Sequence, residues 1–172
     1  MLGDVWGTTE AETRGRFPCD AYVEDPSLVV WRSVSIEAPV HDVWPWLVQL
    51  KLAPYSYDWL DNRGRRSPHV RHDLPDPHPG DHFMATGGRP VGVILEVEHH
   101  VHLTGRILGV TISYCLHPVG TTTTRLTMKA TGKLARGVNT IMSLGDLLMA
   151  RRQLLNLKRL AESNRSKTAE QE

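Results

Sequence analysis

Arg32 is where chemistry would first be sought. In the run LVVWRSVSI (Leu28 to Ile36) it alternates with Val30, Val34 and Ile36, which puts a guanidinium on the apolar face of a strand. A buried guanidinium can anchor an ion pair, here with Asp58 or Asp61, or it can orient a ligand carboxylate or polarise a carbonyl. Tyr57, Asp58 and Trp59 follow in YSYDWLDN. Tyr57 or Asp58 would serve as acid or base on an enolisable ketone. The competing reading makes Trp46 and Trp59 core plugs and Asp58 a helix cap.

A second concentration of ligand-type residues is SPHVRHDLPDPHPGDH (Ser67 to His82). His69 and His72 stand three apart, a spacing that could share a metal on a helical turn. Prolines interrupt the later candidates, however, and no HExxH or CxxC accompanies them. A solvated loop without metal is the expectation, as it is for His99-His100-Val101-His102. His82 opens a strand in which it alternates with Met84, which makes both candidate pocket residues. Cys115 has no histidine beyond His117 on its own strand face, and there is no GxSxG, GxGxxG or phosphate loop. No nucleotide or other cofactor is expected.

Several elements must position these residues. Met1 to Arg16 reads as a polar, poorly ordered leader, and Phe17 to Pro26 as an extended arm anchored by Phe17, Tyr22 and Val23. After the first strand, Pro39 to Asn62 holds three of the five tryptophans and two of the four tyrosines. Val43, Trp44, Leu47 and Leu50 at helical spacing predict a short helix over His41–Leu50, and Ser56 caps a second over Tyr57–Asp61. Arg63 to Gly80 carries four prolines and reads as a loop. Five strands then follow at Asp81–Thr86, Gly92–Glu98, Val101–Thr104, Gly109–His117 and Thr121–Thr131, with Gly105 read as a turn.

Alternation gathers Val93, Leu95 and Val97 on one face, with Tyr114 among the inward residues of the next-to-last strand and Met128 of the last. Arg125, Thr127 and Lys129 should meet water. A long helix, Asn139 to Ser163, has Ile141, Leu144, Leu148 and Leu155 as its seam, flanked by Leu147 and Leu154. A single helix laid across a curved antiparallel sheet covers its apolar face but cannot fill it along the whole length, so a cavity is expected between them.

The bulk numbers suit one soluble domain. The chain has 172 residues, 40% of them hydrophobic and 23% charged. A net charge of +1 offers no overall footprint for nucleic acid or an anionic membrane. Two cysteines and the lack of an early apolar h-region point to reduced thiols in a cytoplasmic protein. No apolar run reaches the roughly 18 residues of a membrane span, so no membrane insertion is expected.

RSVSIEAP (Arg32 to Pro39), VWPWLVQL (Val43 to Leu50) and YSYDWLDN (Tyr55 to Asn62) together resemble a bacterial, polyketide cyclase/dehydrase-like branch of the START-related SRPBCC superfamily. Gly80-Asp81, ILEVE (Ile94 to Glu98) and the helix end from Leu154 to Glu162 are similar too. The resemblance covers roughly residues 20 to 163. Between the second and third motifs, relatives carry a glycine-rich run that is here shortened to Lys51-Leu52-Ala53-Pro54.

The resemblance implies an α+β helix-grip fold: a curved antiparallel sheet wrapped around a long C-terminal helix, with two short helices after the first strand. It also implies a deep apolar pocket for lipids, sterols or polyketides. The expected organisation is a leader (1–16), a helix-grip domain (17–163) and a disordered tail (164–172). The expected partner is a small hydrophobic ligand, not nucleic acid. The residues expected to line its site are Arg32, Trp46, Tyr57, Trp59, His82, Met84, Tyr114, Met128 and Met142. The alternatives are a cyclase or dehydrase using Arg32 with Tyr57 or Asp58, and a protein-interaction module.

Overall fold

A computed structural model describes residues 5–57, 62–133 and 149–163. Leu28–Ile36 forms the nine-residue strand its β-branched alternation demands. It is preceded by the two-residue strand Val5–Trp6. Numbering these β2 and β1, the remaining strands are β3 (His82–Thr86), β4 (Arg89–Glu98), β5 (His102–Ile107), β6 (Val110–Val119) and β7 (Thr123–Gly132). They form a single curved sheet in the order β1-β2-β7-β6-β5-β4-β3. The meander runs from the far edge at β3 inward to β7, and β2 pairs with β7 along its whole length, from Leu28 against Gly132 to Ile36 against Thr124.

After β2 comes helix α2 (Val40–Val48), continued by a 3-10 turn over Gln49–Lys51. Pro45 sits inside α2, past its first turn, where its missing N–H leaves one rung of the hydrogen-bond ladder unmade. Of the second predicted helix only Tyr57 is described, in irregular backbone; residues 58–61 lie outside the described residues.

The C-terminal helix, α3, is described over 149–163 and packs on the inner face of the sheet. Its buried seam is Ala150, Leu154, Leu157 and Ala161. Leu155, expected on the seam, is 37% exposed because the buried stripe lies one residue round from it. Ile141, Leu144, Leu147 and Leu148 lie outside the described residues.

Two further expectations change, one for a packing reason and one for a register reason. Gly105 lies inside β5, not at a turn. A Cβ there would stand 2.3 Å from the Phe83 ring, so the glycine makes room for an aromatic laid across the strand. The β5–β6 turn is instead Leu108-Gly109, with φ +48° and +83°. In β4 the register shifts between Ile94 and Glu96, so Ile94 and Val97 face inward while Val93 is exposed.

The outer face at β7 does not meet water: Thr127 and Lys129 are buried. Lys129 lies under the Pro18–Tyr22 3-10 turn, whose anchors are Phe17 and Cys19, whereas Tyr22 is exposed, and Thr127 accepts a hydrogen bond from Ser33, itself bonded to Thr8. Lys129 is ion-paired to Asp20 at 2.7 Å. Residues ahead of this turn also carry structure. Thr9 and Glu12 form a capping box on the short helix α1 (Glu10–Thr13), and Glu12 pairs with Arg125 at 2.7 Å.

Candidate functional site

Residues directly opposite each other in an antiparallel ladder share a face. Arg32 pairs with Met128, Met128 with Tyr114, Tyr114 with Leu103, and Leu103 with Val97. These five form one rung across the inner face. Arg32 is 0% exposed, and its Nη1 donates to the Trp31 carbonyl at 2.7 Å. Arg32 and Tyr114 stand two strands apart, about 10 Å at the usual strand spacing, with Met128 between them.

A polar network crosses the layers above this rung. The Tyr114 hydroxyl donates to Gln153 Oε1 at 2.5 Å, and Gln153 Nε2 donates to the Pro54 carbonyl at 2.6 Å. One turn on, Asn156 Nδ2 donates to the Tyr55 carbonyl at 2.9 Å. Gln49 Nε2 donates to the Tyr55 hydroxyl at 2.7 Å, while the backbone N–H of His72 donates to Gln49 Oε1. Strand, helix, 3-10 turn and two loops are thereby fastened at one place. Tyr55 takes up a φ of +55°, which its clamped carbonyl and hydroxyl hold in place.

Around this frame the predicted residues fall unevenly. Arg32, Tyr114 and Met128 come together as described. Trp46 is buried on α2, and its indole N–H meets no acceptor among the described residues. Tyr57 is half-buried beneath the Arg152 guanidinium, 5.9 Å from the ring centroid. The β3 side chain that joins the inner face is Phe83, 6.2 Å from the Tyr114 ring. Its neighbours His82 and Met84 therefore lie on the opposite face of that strand. His82 is exposed, with Nε2 3.3 Å from the Lys51 carbonyl oxygen, and Met84 is buried opposite Val91. Asp58, Trp59 and Met142 lie outside the described residues.

Sequence reasoning missed Gln49, Tyr55, Gln153 and Asn156. Gln153 was recoverable, since a carboxamide on the apolar stripe of a helix is the same kind of signal that singled out Arg32. Tyr55 was not, because its role depends on a loop conformation no periodicity encodes.

The cysteines stand apart from this frame. Cys115 pairs with Thr127 on the outer face, and burial pushes its thiol up to about 12. Burial also raises Cys19, so both are held as neutral thiols, not poised as nucleophiles. Among the described residues no three His, Cys, Asp or Glu side chains converge as a metal-holding group, and no helix is long and apolar enough to cross a membrane.

No family model matches the chain, and no curated protein matches it. Solved structures do. One from Nitrosomonas europaea aligns at 17% identity over 83% of this chain and 99% of its own, with a TM-score of 0.57. A protein from Mesorhizobium loti aligns at 17% identity over 78% and 97%, with a TM-score of 0.51. A Polyketide_cyc-like protein from Corynebacterium glutamicum aligns at 18% identity over 82% and 95%, with a TM-score of 0.48. At such identities the likeness is one of fold. Sheet order, the helix and 3-10 turn after β2 and the helix across the inner face together make this a helix-grip fold.

Proposed function

We propose that this protein binds a small, largely apolar molecule, lipid- or polyketide-like, between the inner face of the sheet and the C-terminal helix. The observation that carries the proposal is the rung holding Arg32, Met128 and Tyr114, where a fully buried cation shares an otherwise apolar wall with a thioether and a phenol. A thioether side chain adapts to varied apolar shapes, while a guanidinium fixes an oxyanion or carbonyl at one end. The indole N–H of Trp46, which meets no acceptor among the described residues, adds a second donor suited to such a ligand.

Native mass spectrometry of the protein purified from its source tests this first. The expected result is a retained adduct that organic solvent extracts as an apolar molecule with a carbonyl or carboxylate. A fluorescent fatty acid and its alcohol analogue then test the role of Arg32. Arg32→Met should weaken fatty-acid binding roughly 10- to 100-fold, the usual worth of a charged hydrogen bond, and leave the alcohol little changed. A bare protein that binds neither probe would overturn the proposal.

A further inference from the structure

The overall charge of +1 conceals a local concentration. Asn62 to Arg65 is a tight turn, closed by the Arg65 N–H donating to the Asn62 carbonyl at 3.0 Å, with Arg63 and Gly64 at φ +52° and +77°. It sits against the β3–β4 hairpin turn Gly87-Gly88, itself at φ +57° and +74°. A Cβ on Gly87 would stand 2.9 Å from Arg63 Cδ, and one on Gly88 would stand 2.1 Å from Arg65 Nη1. The two glycines thus form a bare platform on which two arginine side chains lie. Arg66 and Arg89 flank them, and all four are exposed. None of the four guanidinium groups forms an ion pair or hydrogen bond among the described residues. Asp73 and Asp76 lie further along the loop, and Asp76 is already held by His99 at 3.0 Å.

A second observation comes from the same end of the sheet. In a meander, alternate turns share an end, so the β5–β6 turn lies beside the β3–β4 turn. Its first residue is Leu108, 89% exposed and in the left-handed region at φ +48°. An aliphatic side chain in water is unfavourable, and so is a γ-branched L-residue in that backbone conformation. Asparagine is the residue this turn ordinarily prefers. Val70, 71% exposed, lies on the loop that carries the arginines.

We infer that this end of the sheet docks on an anionic lipid surface, with Arg63, Arg65, Arg66 and Arg89 meeting headgroups and Leu108 entering the acyl boundary. Exposed basic residues gain from the negative surface potential, and an exposed leucine gains from acyl chains what no soluble polyanion offers it. Single-stranded nucleic acid would ask for aromatic platforms, and neither the 62–80 loop nor these two turns holds a Phe, Tyr or Trp. The inference stands independently of a ligand inside the fold.

Vesicle co-sedimentation of the full chain tests it. Binding should be seen on vesicles of phosphatidylcholine with phosphatidylglycerol, be absent on phosphatidylcholine alone, and fall as salt rises. Arg65→Gln and Arg66→Gln should each weaken binding roughly fivefold. Leu108→Asn should weaken it roughly tenfold while the melting temperature holds or rises, because asparagine suits the turn. Equal binding to both vesicle types would overturn the inference, as would a Leu108→Asn variant that binds like the parent. Tighter capture by a soluble polyanion such as heparin, indifferent to Leu108, would overturn it too.

Discussion

The two faces of the sheet bury polar residues in opposite ways. On the outer face most of the buried groups are short, and their bonds run within the sheet or to the one segment, Pro18–Tyr22, laid on it. Ser33 Oγ donates to Thr127 Oγ1 at 3.1 Å, Thr104 and Ser113 share a hydrogen bond of 2.8 Å, and the Cys19 N–H donates to Ser113 Oγ at 2.8 Å. Lys129 is the long side chain of this face, tying the sheet to Asp20 of that segment and lying over the Phe17 and Trp31 rings at 5.3 and 5.2 Å. On the inner face the polar groups are large, and their bonds run between layers, from sheet to helix to loop. Small hydroxyls that satisfy one another close a surface. Long side chains that bond across layers fix the spacing of separate elements, and with it the shape of any space between them. Burial of a polar residue alone does not mark a site; where its partners come from does.

The contrast is broken most directly at Trp46. If the inner face is packed as tightly as an ordinary core, Trp46→Ala should cost about 3–5 kcal/mol in urea unfolding. Ser33→Ala, on the outer face, should cost only about 1 kcal/mol, the net worth of one hydrogen bond. A Trp46→Ala cost as small as that of Ser33→Ala would mean the tryptophan already borders open space, and would sharpen the case for a ligand there.

Gly105 gives the next largest effect. Any Cβ at this position meets the Phe83 ring at 2.3 Å, and strand pairing on both sides leaves the backbone nowhere to move. Gly105→Ala should therefore destabilise by about 1–3 kcal/mol, as overpacked cores do. Adding Phe83→Leu should recover part of that loss. A Gly105→Ala protein as stable as the parent would show that the ring is free to swing aside.

Gly105 also shows where the sequence was legible and where it was not. Alternation in β2, β6 and β7 correctly placed Arg32, Tyr114 and Met128 on one wall, because period-two patterning is a property of each strand by itself. Gly105 read as a turn because a glycine between short strands usually is one, and only the distant Phe83 ring explains it. Thr127 and Lys129 read as solvent-facing for the same kind of reason. What Lys129 meets is the Phe17–Tyr22 segment, about a hundred residues earlier, and what Thr127 meets is Ser33, bonded in turn to Thr8; such packing leaves no trace in the periodicity of β7. His82 and Met84 were placed by alternation within β3, but which face of that edge strand turns inward was decided by Phe83. The network through Gln49, Tyr55, Gln153 and Asn156 is built from loop geometry that local patterning does not carry.

The smallest effect tests how firmly the N-terminal segment belongs to the outer cover. The Arg125 guanidinium bonded to Glu12 holds that carboxyl at about 2, against 4.5 for an ordinary glutamate. The unfolded chain thus binds the Glu12 proton more readily than the folded one. The stability contributed by the pair is fully present above pH 4.5 and is lost as the pH falls from 4.5 toward 2. Glu12→Gln should remove that segment of the acid-unfolding profile and cost under about 1 kcal/mol at neutral pH, since the pair sits near solvent. Cys115 acts with the opposite sign: its thiol is raised by burial from 9.0 to about 12, so its contribution is lost as the pH climbs through that range. Both slopes belong to the outer face. If Glu12→Gln left the acid limb unchanged while Cys115→Ala flattened the alkaline one, only the Phe17–Tyr22 segment would be tightly docked in solution, and the outer cover would begin at Phe17.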